Sequence, residues 1–381
     1  VPVDFFLPNA DKKMAVCRPP VSVQITKCRH KKNLPLQVPL TEEIWMLRCL
    51  DLARMGIPKA FPNPLVGAVI VYEDRIIGEG YHTCYGQSHA EVNAILSVRS
   101  EDLSLLPLST LYVSLEPCSH TGKTPPCADL IISKGIKRCV IACTDPYYEV
   151  AGRGIAKLRE AGIDVITGPM EKQANELNSR FLTGIAHHRP YIILKWAQTA
   201  NGYYAPADGS QRWITNEWAR IVVHKWRSRE QAILCGTETI LADNPALNTR
   251  YWEGASPLRI ILDRHHRLDP KYQVFDGTAP TLVITSSPDH FFENKWICPE
   301  NEDLPELVSR LYQNNIGSLL VEGGKKLHDS LIYYHLWDEI RIITSATNWE
   351  EGIKVPTYTG LLAHRYSLDD NEVCIYKNPY L

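Results

Sequence analysis

His89, Glu91, Cys118 and Cys127 are the residues of this 381-residue chain whose types and spacing best fit one reaction. One imidazole and two thiolates suit a tetrahedral zinc ion with one open position. A water held there has its pKa lowered towards neutrality. Glu91, two residues after the histidine, is then free to carry protons and need not bind metal. Hydroxide attack on an amidine-like ring carbon, with protonation of the departing amine, needs that set of groups, so the chemistry indicated is hydrolytic deamination. A closed structural zinc site is the alternative; it needs a fourth ligand, for which His120 and Cys84 are the candidates. Between the cysteines, Ser119 to Thr124 is polar, basic and glycine-bearing. Such a loop can lie against an anionic group, with Lys123 as a point charge and Thr124 as a hydroxyl donor.

These residues must be positioned by helix starts and strand ends. Thr41-Glu42-Glu43 opens a helix that runs to Met55, and Gly56 and Pro58 end it. Val66 to Val71 reads as a buried strand, with Arg75 to Gly80 as its hairpin partner. His89 to Val98 reads as a helix with His89 and Glu91 on its first turn. Thr110 to Leu115 is a strand that Cys118 follows directly, and Cys127 opens the helix Ala128 to Lys134. Two helix starts and one strand end therefore converge on one metal. With strands at 140–142 and 165–166 and a helix at 154–161, this is a three-layer α/β domain.

A second α/β block begins near residue 188. Its strands are expected at 191–196, 232–236, 258–263, 281–285, 318–321 and 339–344. Helices are expected up to Ser228, at 304–314 and at 325–334. Residues 236–245 read as a polar loop. No G-x-G-x-x-G follows a strand, so a Rossmann dinucleotide site is not indicated. Val321-Glu322-Gly323-Gly324 instead lets backbone N–H groups approach a phosphate at a helix start.

A hydrophobic share of 44% and a charged share of 22% are those of a soluble globular protein. The net charge of −2 makes no electrostatic case for nucleic acid or anionic membrane. No apolar run approaches the ~18 residues of a membrane span. Eleven scattered cysteines, an odd number, fit a reducing compartment. Residues 1–40, rich in proline and Lys/Arg, read as a poorly ordered extension ahead of domains at 41–187 and 188–381.

The stretches G-Q-S-H-A-E-V-N-A-I and E-P-C-S-H-T-G-K-T-P-P-C, with His82 and the N-P-L-V-G-A at 63–68, resemble the bifunctional deaminase/reductase family of riboflavin biosynthesis. Its members carry eight residues between the cysteines where most zinc deaminases carry two. R-P-Y-I-I-L-K-W-A-Q, W-I-T-N, G-T-E-T-I-L-A-D-N-P-A-L-N-T-R and V-E-G-G resemble its reductase half, so the likeness runs from about Glu42 to about residue 360. The resemblance implies an α/β chain, with a cytidine-deaminase-like three-layer domain followed by a dihydrofolate-reductase-like domain. It implies Zn2+ and NADPH as cofactors.

By resemblance, Asn63 and His82 contact the pyrimidine, and His120, Lys123 and Thr124 contact the sugar phosphate. Ala197, Trp213, Thr239, Asp243 and Gly324 hold NADPH, while Arg227, Leu247, Arg250 and Glu322 face the substrate. The implied reactions are deamination of 2,5-diamino-6-ribosylamino-4(3H)-pyrimidinone 5′-phosphate and reduction of its ribose to ribityl. The expected setting is the cytoplasm, with a small phosphorylated pyrimidine and further copies of the chain as partners, and neither nucleic acid nor membrane. Two departures stand out. Asp145-Pro146-Tyr147-Tyr148 lacks the asparagine-proline that follows the family's Asp-Pro, and Asn201-Gly202 replaces its Asp-Gly. The second departure leaves room for a reductase half that binds ligand without turnover. A nucleic-acid base deaminase is the other alternative, and it predicts a basic or aromatic groove.

Overall fold

Met46, Cys49, Leu50, Leu52 and Ala53 recur at helical spacing and bury one face of α1 (Glu42–Arg54). The computed structural model describes residues 42–119, 125–146, 151–207, 213–299 and 301–380, all within one compact unit. The basic extension and the loop residues His120, Lys123 and Thr124 lie outside the described residues. After α1 come β1 (Gly67–Tyr72), β2 (Arg75–Tyr81), α2 (Ala90–Leu96), β3 (Thr110–Val113), α3 (Cys127–Ser133) and β4 (Arg138–Ile141). Then follow α4 (Arg153–Glu160), β5 (Asp164–Thr167), α5 (Glu171–Leu177) and α6 (Ser179–His187).

The five strands form one sheet in the order β2-β1-β3-β4-β5. β1 is antiparallel to β2 and β3, while β3, β4 and β5 run parallel. The two-residue period of a strand sorts its side chains to opposite faces. Ala68 and Ile70 of β1 join a core with Ala94, Ile131 and Leu158, so α2, α3 and α4 cover that face. Val69 and Val71 join Met46, Leu50 and Ala174, so α1 and α5 cover the other. This is the three-layer arrangement expected, and it puts the helices that begin beside His89 and at Cys127 on one face. α2 lies so close to β2 that a Cβ at Gly80 would stand 2.4 Å from the Ala94 nitrogen, which only glycine permits.

The second half continues with β6 (Tyr191–Gln198), β7 (Tyr203–Ala205), α7 (Glu217–Arg227), β8 (Ala232–Gly236), α8 (Thr237–Asp243), β9 (Leu258–Leu262), β10 (Thr281–Thr285) and β11 (Lys295–Ile297). It ends with α9 (Leu304–Gln313), β12 (Ser318–Val321), α10 (Lys325–Tyr333), β13 (Glu339–Thr344), β14 (Ile353–Lys354), β15 (Leu361–Leu368) and β16 (Asn371–Lys377). Nine of these strands form a sheet in the order β11-β10-β9-β8-β12-β6-β13-β16-β15. Ile192, Leu194 and Trp196 of β6 pack with α9 and α10, and Tyr191 and Ile193 pack with α7 and α8.

Two expectations are corrected, and one feature is new. Residues 236–245 are not simply a loop, because Thr237 to Asp243 forms α8, with Ile240 buried beneath it. Its start is fixed where the Thr237 hydroxyl donates to the Leu262 carbonyl at 2.6 Å. His89 is the residue before α2 and not within its first turn. The hairpin of β15 and β16, unforeseen in the sequence, extends the second sheet beyond β13. No helix among the described residues is long and apolar enough to cross a membrane.

Candidate active sites

His89, at the start of α2, meets Cys127, the first residue of α3, and Cys118 from the segment after β3. Cys118 Sγ lies 3.6 Å and Cys127 Sγ 3.4 Å from His89 Nδ1, and the three ligand atoms lie within 4.8 Å of one another. Among the described residues this is the one such group of His, Cys, Asp and Glu side chains. Cys84 stands outside it, so the closed four-ligand alternative has no fourth ligand among the described residues. The donor set fits a tetrahedral zinc ion with an open position. The charge balance fits too. Cys118 is drawn down by hydrogen bonds from the Cys127 thiol and from His89, and Cys127 is pushed up by the same pairing. Without a cation the pair keeps a proton, and a dication is what makes both thiolates affordable.

Glu91 sits one residue into α2 and is only 3% exposed. Burial, and then the charge of Cys118, push its carboxyl up to about 7. An acid in that range can both accept and donate a proton near neutral pH. Beside it, His82 Nδ1 lies 3.1 Å from the Ser88 carbonyl, which only accepts, so Nδ1 carries the proton. Nε2 then accepts from Asn63 Nδ2 at 3.0 Å. That leaves Asn63 Oδ1 as an acceptor for a ligand, and burial keeps His82 below the usual histidine range. Asn178 fixes the segment after Asn63, accepting from Leu65 N at 2.7 Å and donating to Leu65 O at 3.0 Å. Sequence reading missed Asn178, and a separation of 113 residues leaves no local signal for it.

In the second half, a cavity of about 400 Å³ opens at the ends of β6 and β12, between α7 and α8. Trp213, Arg227, Thr239, Asp243, Leu247, Arg250 and Glu322 all line it. Ala197 and Gly324 do not. Ala197 packs towards the core, and Gly324 precedes α10, where a Cβ would stand 3.1 Å from the Thr239 hydroxyl. Arg227 reaches the cavity, but its guanidinium is engaged. Nε donates to Glu322 Oε1 at 2.7 Å, Nη2 to Oε2 at 2.8 Å and Nη1 to the Asn248 carbonyl at 3.1 Å. Lys195 Nζ adds a contact to Glu322 at 3.3 Å. Burial alone would raise the Glu322 carboxyl, yet Arg227 and Lys195 hold it well below the usual carboxylate range.

Tyr204, Arg220 and His224 also line this cavity, though none of the three was picked from sequence; Lys195, inside the R-P-Y-I-I-L-K-W-A-Q stretch that carries the resemblance, lines it as well. Arg220, His224 and Arg227 share a face of α7 at helical spacing, which was a readable signal. A lysine inside the apolar run Y-I-I-L-K-W was another.

Beneath the cavity, Tyr204 Oη donates to the Gly323 carbonyl and lies 3.3 Å from His328 Nδ1, while His328 Nε2–H donates to the Val321 carbonyl at 3.1 Å. The two carbonyls flank Glu322, so this fully buried histidine helps seat it. Burial holds His328 down to about 4, against an ordinary 6.5. The unfolded chain binds the proton more readily, so stability present in full above about pH 6.5 is lost as pH falls towards 4, with about 3 kcal/mol at stake. The denaturant midpoint should therefore drop between pH 7 and 4.5, and drop less in His328→Gln. Equal slopes for the two proteins would refute the neutral buried histidine.

Asn201 lies outside the cavity lining. Its Oδ1 accepts from Thr199 Oγ1 at 2.8 Å and Trp349 N at 3.2 Å, and its Nδ2 donates to the Trp349 carbonyl at 2.6 Å. This clamp uses a donor and an acceptor on one side chain, which an ionised aspartate does not offer. Asn201→Asp should loosen the 345–350 turn yet leave the turnover of NADPH within about twofold, as fits a surface hydrogen bond. A tenfold rise in NADPH oxidation by the variant would show that asparagine impairs the reductase.

A family model of the RibD C-terminal domain matches residues 190–347, and one of the cytidine and deoxycytidylate deaminase zinc-binding region matches residues 40–143. The riboflavin biosynthesis protein RibD of Bacillus amyloliquefaciens is 42% identical over 311 residues, covering 78% of this chain and 83% of the relative. RibD of Escherichia coli (strain K12) is 37% identical over 324 residues, covering 79% and 86%. The crystal structure of a diaminohydroxyphosphoribosylaminopyrimidine deaminase/5-amino-6-(5-phosphoribosylamino)uracil reductase from Thermotoga maritima superposes with a TM-score of 0.82 at 36% identity, covering 88% of this chain and 98% of that one. These likenesses favour neither the nucleic-acid deaminase nor the ligand-binding alternative. The chain belongs to the RibD family of riboflavin biosynthesis and has both of its halves, a zinc-dependent pyrimidine deaminase and an NADPH-dependent reductase.

Proposed function

We propose that residues 41–187 deaminate 2,5-diamino-6-ribosylamino-4(3H)-pyrimidinone 5′-phosphate and that residues 188–381 reduce the ribose of the product to ribityl. The convergence of His89, Cys118 and Cys127 beside a buried Glu91 carries this reading. Zinc bound by those three ligands supplies a water acidic enough to react at neutral pH. Glu91 takes up a proton as the ring carbon is attacked and returns it to the departing amine. Asn63 Oδ1 accepts from the ring, and the fixed tautomer of His82 keeps Asn63 in that orientation. His120, Lys123 and Thr124, outside the described residues, are assigned to the sugar phosphate.

In the second half, Trp213, Thr239 and Asp243, which line the cavity, hold NADPH, which supplies the hydride; Ala197 and Gly324, outside the lining, are assigned to it by resemblance alone. Leu247, Arg250 and the Arg227–Glu322 pair orient the sugar. Three measurements on one sample test the division: zinc content, ammonia release and NADPH oxidation. Chelating the zinc should stop ammonia release and leave NADPH oxidation on already deaminated substrate intact. Loss of both together would sink the assignment of two independent sites.

The enzyme works in the cytoplasm as a homo-oligomer. Nine described cysteines, none in a disulfide, support a reducing compartment, which cell fractionation tests. β15, an edge strand exposed along seven of its eight residues, supports pairing with a second copy, which sedimentation equilibrium measures.

A further inference from the structure

Glu116 is 4% exposed, and among the described residues its carboxylate accepts from four main-chain N–H groups. Oε2 accepts from Asp145 N at 3.2 Å and Gly152 N at 2.9 Å, and Oε1 accepts from Gly154 N at 2.8 Å and Ile155 N at 3.2 Å. A helix start leaves its first N–H groups without partners, and the residue before α4 is Gly152, which has no side chain to cap them. Glu116 supplies that cap from a distant part of the chain. A second contact is independent of the carboxylate. Gly154 packs so tightly that a Cβ there would stand 2.0 Å from the Pro117 carbonyl oxygen. The main chain is held from the other side as well, since Glu116 N donates to the Cys143 carbonyl at 3.0 Å. One residue beyond Pro117, the Cys118 carbonyl accepts from Ala128 N at 3.1 Å, and its Sγ accepts from Cys127 N at 3.4 Å. The segment 116–118 is thus strung between the starts of α4 and α3, with the thiolate at one end and Glu116 at the other.

We propose that Glu116 is a positioning residue for deamination: its carboxylate clamps Pro117 onto the start of α4 and so sets where the Cys118 sulfur stands relative to His89 and Cys127. Groups that orient metal ligands from behind alter metal affinity or activity by about 10- to 100-fold when removed. Glutamine at 116 keeps the size but has one accepting oxygen, so two of the four N–H groups lose their acceptor and face an NH2.

The inference rests on Cys118 being a zinc ligand, so Cys118→Ser is made beside Glu116→Gln in the full-length chain. In Glu116→Gln, zinc affinity or the rate of ammonia release should fall by about 10- to 100-fold. The visible bands of the cobalt-substituted protein should shift. KM should stay within about twofold, because Glu116 does not touch substrate. NADPH oxidation on deaminated substrate should be unchanged and serves as the control for folding. Wild-type metal affinity, cobalt spectrum and ammonia release, whatever the melting temperature, would overturn the proposal by reducing Glu116 to a stabilising cap. If Glu116→Gln does not accumulate, Gly154→Ala displaces Pro117 from the other side and carries the same expectations and the same refutation. Zinc bound at wild-type affinity by Cys118→Ser would show instead that the ligand assignment is what fails.

Discussion

Glu91→Gln leaves a chain that binds zinc and oxidises NADPH on deaminated substrate, but releases ammonia about 10²- to 10⁴-fold more slowly, the usual worth of a positioned general acid–base. The two side chains have the same shape, so the start of α2 and His89 stay in place. What glutamine cannot do is accept a proton and give it back. Stability separates this role from a structural one. A carboxylate that is 3% exposed is costly unless a partner offsets it, and burial is the main cause that pushes the Glu91 carboxyl up to about 7. Replacing it with an amide should leave the melting temperature unchanged or raise it. Ammonia release, zinc content and thermal unfolding of the purified variant read all three expectations. Release within tenfold of wild type would remove Glu91 from the chemistry, and a large fall in melting temperature would make it a structural residue.

What could be read from sequence followed from local chemistry. Val69, Ile70 and Val71 announce a buried strand whichever face each one meets, and the two faces are covered as a three-layer domain requires. His89, Glu91, Cys118 and Cys127 were legible because metal ligands are few in kind and their spacing places them at element ends. The supports of those residues were not legible. Asn178 holds Leu65 from 113 residues away, and Glu116 caps a helix that begins 37 residues later. A hydrogen bond of that kind leaves no period and no composition bias. α8 was hidden for another reason. Thr237, Glu238 and Asp243 read as a polar turn, and only the burial of Ile240 and the Thr237 contact to β9 make it a helix. The arginine pair was half legible. The resemblance to the family's reductase half pointed Arg227 and Arg250 at the substrate, but only the structure reveals that Glu322 occupies the fork of Arg227.

That occupied fork predicts the largest change in the second half. Glu322→Ala should destabilise it by about 3–5 kcal/mol, as removal of one partner from a buried ion pair does. Arg227 and Lys195, whose side chains are only 11% and 14% exposed, would face each other with no anion between them. NADPH oxidation should fall by at least about a hundredfold, in the range of a lost electrostatic contact at a reacting centre, while ammonia release persists at temperatures where the second half stays folded. Destabilisation alone could account for that loss, so a second variant is needed. Buried ion pairs can often be replaced by apolar residues of similar volume without loss of stability. Arg227→Met with Glu322→Leu should therefore recover part of the stability, since of the three charges only Lys195 is then left without its partner. If the pair orients the sugar, reductase turnover stays as low in the double variant as in Glu322→Ala. If turnover returns with the stability, the pair serves only to hold α7 against β12. Denaturant midpoints and NADPH oxidation, measured on both variants at one temperature, decide between the two.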